Sequence, residues 1–143
     1  MISKEALDTN SKTTYLFSVD LEDSREGVTN GFRYRDRVPE MTRLYLAFLR
    51  EKKVRCTFFT VGEVAKRHPS LIQEIVAEGH EIACHTHEHK ELTKYSKDEF
   101  VEDLRRNKSE LESLAGREVV GFRAPSCSLN ERTRWVWDVL VDQ

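Results

Sequence analysis

Four short, β-prone runs alternate with stretches of helical apolar spacing along this chain, and that alternation leaves few folds open. The runs are "TYLFSVD" (Thr14–Asp20), "RCTFFTV" (Arg55–Val61), "HEIAC" (His80–Cys84) and "EVVGFR" (Glu118–Arg123). After the first, Pro39 suits the opening turn of a helix, and Met41, Leu44, Tyr45, Phe48 and Leu49 follow as one apolar stripe. After the second, a helical region over 63–78 is broken by Pro69. Leu71, Ile72, Ile75 and Val76 form its inward face, and Gly79 supplies its stop. After the third, Ser96-x-x-Glu99 has the spacing of a reciprocal cap. Phe100, Leu104, Leu111 and Leu114 line that helix, and Gly116 ends it. After the fourth, Ser128-x-x-Glu131 repeats the cap spacing ahead of a helix carrying Trp135, Val136, Val139 and Leu140. A β-α unit repeated in this way predicts an α/β fold, a parallel sheet with outer helices.

The 143 residues suffice for one domain, expected over residues 14–143 behind a polar N-terminal tail at 1–13. A net charge of −2 gives no reason to expect nucleic acid as a partner. No apolar run approaches the ~20 residues of a transmembrane helix. The first residues lack the apolar core of a secretory signal, so the expected location is cytoplasmic. Three cysteines without a CxxC pair argue against a disulfide framework.

In parallel β/α folds, reactive groups gather beyond the C-terminal ends of the strands. The first predicted strand ends in Asp20, with Glu22 and Asp23 just past it. The third ends in Cys84 and His85, and the fourth in Arg123. "HTHEH" then places His85 and His89 four apart, a spacing that brings two imidazoles to one side of a turn entering a helix. A zinc-protease HExxH reading from His87 fails, because the position that needs histidine holds Glu91. His87 is expected to point elsewhere, and His68 and His80 to be structural. A bare histidine tract would bind metal without acids on another strand. One carboxylate with two imidazoles makes an open zinc-type site, and a second carboxylate can take a proton from water. Arg123 beside those acids can orient the base. A Cys/His nucleophile pair, Cys84 or Cys127 with His85 or His87, lacks an accompanying oxyanion loop, so small buried hydrophobe is the expected use.

"FSVDLED", "CTFFTVGEVAKRHPSLIQEIVAEGHEIACHT", "HTHEH" and "FRAPSCSL" occur in that order between about Tyr15 and Leu140, and together they resemble the polysaccharide deacetylase family. This is the NodB homology domain of carbohydrate esterase family 4. The resemblance implies a partial, distorted (β/α) barrel and metal-dependent removal of N-acetyl groups from a sugar or polysaccharide. It implies a divalent metal, most often zinc, on His85, His89 and one carboxylate. It makes Asp20 the base, Arg123 its partner, Pro125 a shaper of the substrate loop, and Thr86 a stay of the histidine loop. Where the family has adjacent aspartates, this chain reads "DLED". Asp23 past a bulge is favoured as the carboxylate ligand because aspartate is the usual type. Glu22, in phase with Asp20, is the alternative. No counterpart of the family's later Leu-x-His motif follows His89. The expectation is then either a fragment of a longer enzyme whose general acid lies elsewhere, or a truncated, non-catalytic metal- or carbohydrate-binding relative, with a homodimer through an open sheet edge.

Overall fold

The computed structural model describes residues 15–143; the expected tail at 1–13, and Thr14 of the first expected strand, lie outside the described residues. The order is β1 (Ser18–Leu21), α1 (Val38–Lys52), β2 (Thr57–Thr60), α2 (Gly62–Arg67), α3 (Pro69–Ala77), β3 (Glu81–Cys84), α4 (Lys97–Ala115) and α5 (Val136–Asp142), with short 3-10 turns between some of them. The three strands form one parallel sheet in the order β1-β2-β3. Leu21, Thr60 and Cys84 stand in register and are buried. Asp20, Phe59 and Ala83 share the neighbouring register row and, by the pleat, the opposite face. The core around Phe58, Val61, Leu71, Ile72, Ile75, Phe100 and Leu111 fills the space between the sheet and its helices.

Several local expectations match. Pro69 separates α2 from α3, and Gly79 sits at φ +82° just past the helix end. The Ser96 hydroxyl accepts from the Glu99 amide at 3.3 Å, while the Glu99 carboxylate accepts from the Ser96 amide at 2.7 Å. Trp137 is exposed and Trp135 packs edge-on against Phe100.

Three expectations need correction. The fourth strand does not form a ladder. Segment 118–123 touches the sheet through one parallel bridge, Cys84 to Phe122, where the Cys84 amide donates to Gly121 O at 2.8 Å and the Arg123 amide to Cys84 O at 2.9 Å. The Ser128 cap is also displaced. Ser128 Oγ donates to Pro125 O and accepts from the Leu92 amide, and Asn130 with Thr133 makes the reciprocal cap instead. Finally, α1 buries Thr42, Leu46 and Leu49, whereas Met41 (43%), Leu44 (59%), Tyr45 (44%) and Phe48 (51%) stay exposed. Met41 and Tyr45 face a cavity of about 450 Å³ that Val19 and Leu21 of β1 also line. Among the described residues no strand pairs with that side of β1, and of the stripe Tyr45 stacks on Phe17 while Lys52 lies over Phe48.

The segment after β3 is held from two sides. The first amides of α2, at Gly62 and Glu63, donate to Thr86 O (3.1 Å) and His87 O (3.0 Å). From α4, the Asp103 carboxylate accepts from the His87 amide at 2.8 Å and the Asn107 side-chain carbonyl from the His85 amide at 3.2 Å. Tyr95 OH donates to the other Asp103 oxygen at 2.7 Å. The loop backbone is left-handed at Thr86 (φ 60°) and His89 (φ 53°).

Two substitutions test this clamp. A Cβ at Gly62 would fall 2.1 Å from His87 Nδ1. Gly62→Ala should therefore cost about 1–3 kcal/mol by overpacking, read from the urea midpoint, with part regained when His87→Ala is added. Asp103→Ala leaves the buried His87 amide without its acceptor, for about 1–3 kcal/mol. Amide exchange at His87 should accelerate with it.

Candidate metal centre

Flush strand ends bring the segments after β1 and β3 together. Glu22, His85 and His89 each present a ligand atom, and these atoms lie within 4.8 Å of one another. Glu22 Oε2 is 3.6 Å from His85 Nε2 and 2.6 Å from His89 Nε2. Despite that approach, the buried His89 Nε2 makes no hydrogen bond. The imidazole and the carboxylate are thus not aligned on each other, as they would be in a simple ion pair. His85 Nδ1 lies 2.8 Å from the Arg123 carbonyl oxygen. A carbonyl can only accept, so Nδ1 carries the proton and the lone pair sits on Nε2, toward Glu22. Burial pushes the His85 pKa below the ordinary imidazole value, favouring the neutral ring that a ligand must be. Two imidazole nitrogens and a carboxylate suit a divalent ion of the zinc type. The residues therefore fit such an ion.

Asp20 and Arg123 meet on the same rim. Arg123 Nη1 donates to Asp20 Oδ1, and Nη2 donates to Ser18 Oγ at 2.8 Å. The guanidinium lies over the Phe59 ring, 3.9 Å from its centroid, so one of its faces is shielded from water. Asp20, Arg123, Phe59, Glu22, His85 and His89 all line one open cavity of about 640 Å³.

The favoured carboxylate needs correction: Asp23 does not join the histidines. Its side chain is buried, 2% exposed, and bound by Arg25 and Arg67. Hydrogen bonds from Arg25 foremost, and from Arg67, hold its pKa well below the usual carboxylate range. Burial alternates along this stretch, with Leu21 and Asp23 inward and Asp20 and Glu22 outward. No bulge intervenes, which is why Glu22 arrives at the imidazoles. Thr86 and Pro125, expected to hold the histidine loop and to shape the substrate loop, are both buried and are not among the residues that line the cavity. Thr86 offers its backbone carbonyl to α2, and Pro125 opens the turn Pro125–Cys127.

The remaining candidates sort by burial. His87 points away from the ion site, with Nε2 3.2 Å from Glu63. His80 accepts from the Cys56 amide at 3.3 Å, and His68 lies 2.9 Å from Asp36. Burial pushes the Cys84 thiol up to about 12, which removes it as a nucleophile. Cys127 is exposed on the cavity wall. Asp103, Asn107, Ser18 and Phe59 support the site without having been singled out. Ser18 and Phe59 were readable in principle, the first in phase with Asp20 and the second in a strand beside it. Asp103 and Asn107 share an α4 face with Phe100 and Leu111, and two polar residues on an apolar stripe were the available signal.

The polysaccharide deacetylase family model matches residues 30–140. Chitin deacetylase 1 of Cryptococcus neoformans var. grubii is 31% identical over 104 residues, 73% of this chain and 22% of that protein. A peptidoglycan-N-acetylglucosamine deacetylase of Bacillus cereus is 35% identical over 86 residues, 60% of this chain and 31% of the relative. A solved structure assigned to the polysaccharide deacetylases, from Mycobacterium smegmatis, superposes with a TM-score of 0.74 at 29% identity. That match covers 89% of this chain and 47% of the other. The chain thus spans less than half the length of each of these relatives. With the family model matched over most of its sequence, and with the parallel sheet, the rim acids and the histidine loop in place, this chain belongs to the polysaccharide deacetylase family.

Proposed function

We propose that this chain carries the metal-binding and water-activating part of a hydrolase that removes N-acetyl groups from a sugar or polysaccharide. The observation that carries the reading is the meeting of Glu22, His85 and His89 beside an Asp20 already held by Arg123. Glu22, His85 and His89 would hold the ion, with zinc the first candidate. A divalent cation held there supplies Lewis acidity to an amide carbonyl and acidifies water from ~15.7 toward ~7.

The chain's own residues supply the rest. Asp20 takes the proton of the attacking water, and its partial exposure on the cavity wall gives that water access. Arg123 donates to Asp20 and so fixes its rotamer. Ser18 and the Phe59 ring in turn fix Arg123, so the base does not wander between turnovers. Phe59, Phe122, Ala124 and Leu129 give the cavity apolar walls against which sugar rings and an acetyl methyl can pack. The names of the relatives make N-acetylglucosamine oligomers the first substrate to try.

Zinc titration by calorimetry should find about one site per chain, lost in each of Glu22→Ala, His85→Ala and His89→Ala. A wild type that takes up no zinc overturns the reading. Acetate release from N-acetylglucosamine oligomers should fall by roughly 10²–10⁴ in Asp20→Asn while zinc stays bound. Zinc and sugar binding without acetate release in the wild type would favour the non-catalytic alternative.

A further inference from the structure

We propose that Asp23 and Arg67 are positioning residues: the ion pair between buried Asp23 and half-buried Arg67 sets Glu22 at its distance from His85 and His89, with α2 as the spacer. This rests on reading Glu22, His85 and His89 as the metal ligands. Asp23 follows Glu22 directly, in a stretch where side chains alternate in and out. Drawing Asp23 inward therefore turns Glu22 outward, and a tightly held Asp23 leaves Glu22 little freedom at its backbone.

Asp23 is held on several sides. One carboxylate oxygen accepts from the Arg25 amide at 3.1 Å, and Arg25 Nε reaches both oxygens at 3.0 and 3.1 Å. The other accepts from Arg25 Nη2 and from Arg67 Nη1, each at 2.6 Å. Asp36 sits beside them as a second carboxylate, 2.9 Å from Arg25 Nη2 and 3.4 Å from Arg67 Nη1. Glu26 takes Arg67 Nη2 at 3.0 Å. Both arginines are held mainly by acids of the segment between β1 and α1, with Arg25 Nη1 also donating to Tyr34 O and Arg67 Nε to Glu63 O.

The position of Arg67 gives this cluster a link to the metal site. Arg67 is the last residue of α2, whose first residues, Gly62 and Glu63, hold the histidine loop through Thr86 O and His87 O. One end of a six-residue helix therefore fixes the imidazoles, and the other end fixes the turn bearing the carboxylate. A helix of that length spans about 9 Å and does not stretch. Its length sets the separation of the two ligand-bearing segments.

The test is zinc affinity in the full 143-residue chain, by competition with a chromophoric chelator, together with the cobalt(II) visible spectrum. Asp23→Asn and Arg67→Gln should each weaken zinc about 10–100-fold, as loss of groups supporting metal ligands does. Their cobalt bands should shift, a geometry readout that a change in stability alone does not move. Arg67→Lys keeps the charge without the planar fork and should recover only part of the affinity. Arg43→Gln, which breaks an exposed pair with Glu74, is the control and should bind as wild type does. Circular dichroism selects the folded variants, and Arg67→Lys, the mildest change, decides the matter if the other two do not fold. Folded variants with wild-type affinity and spectrum overturn this inference alone. A wild type that binds no zinc overturns it together with the metal reading.

Discussion

Parallel pairing in unbroken register governs everything at the rim. Because Leu21, Thr60 and Cys84 lie side by side, β1, β2 and β3 finish level. The residues that leave those strands then enter the same few ångströms of space, although Glu22 and His85 are far apart in the chain. A slip of one residue in the β1–β2 ladder would turn Asp20 toward the helices and Leu21 toward the cavity. Burial of Leu21, Thr60 and Cys84 opposes that slip, so the apolar face of the sheet guards the geometry of the polar one.

The polar interactions around the rim are layered on that register. Arg123 reaches from the bridge at Phe122 across Phe59 to Asp20, tying a segment with almost no sheet pairing of its own to the opposite strand. Gly121 permits the approach, since a Cβ there would come within 2.8 Å of Ala83 Cβ. On the far side, α4 contributes Asp103, which accepts from the His87 amide past the end of the ladder, and Asn107, which shares the His85 amide with Thr60 O of β2. Buried amides of this kind need partners, and the helix provides them where the ladder ends.

Periodicity carried much of this into view before any coordinates. Strand and helix order, the break at Pro69, the Ser96 cap and the pairing of His85 with His89 all follow from local chemistry acting on neighbours. What escaped depends on distant parts of the chain. The stripe from Met41 to Phe48 has helical spacing, but which face of α1 the sheet covers is decided by β1 and its neighbours. Glu118–Arg123 has the composition of a strand, but a ladder needs a partner in register, and only Cys84 meets it. The choice between Glu22 and Asp23 turned on Arg25 and Arg67. Two guanidiniums drew the aspartate inward, and no pattern within "DLED" announces them. Ser128 lost its cap role to a competing bond with Pro125 O that arises only once that turn has formed.

Thr86 and His89 hold a backbone twist that residues bearing a Cβ seldom adopt, at about 1–3 kcal/mol each. A free peptide copying residues 81–92 would relax out of that shape at once and scatter its imidazoles over many arrangements. Whatever ion it then caught would meet a floppy chelator with little preference among metals. The arrangement of these imidazoles is accordingly a property of the folded surroundings, borrowed by a dozen residues that do not possess it alone.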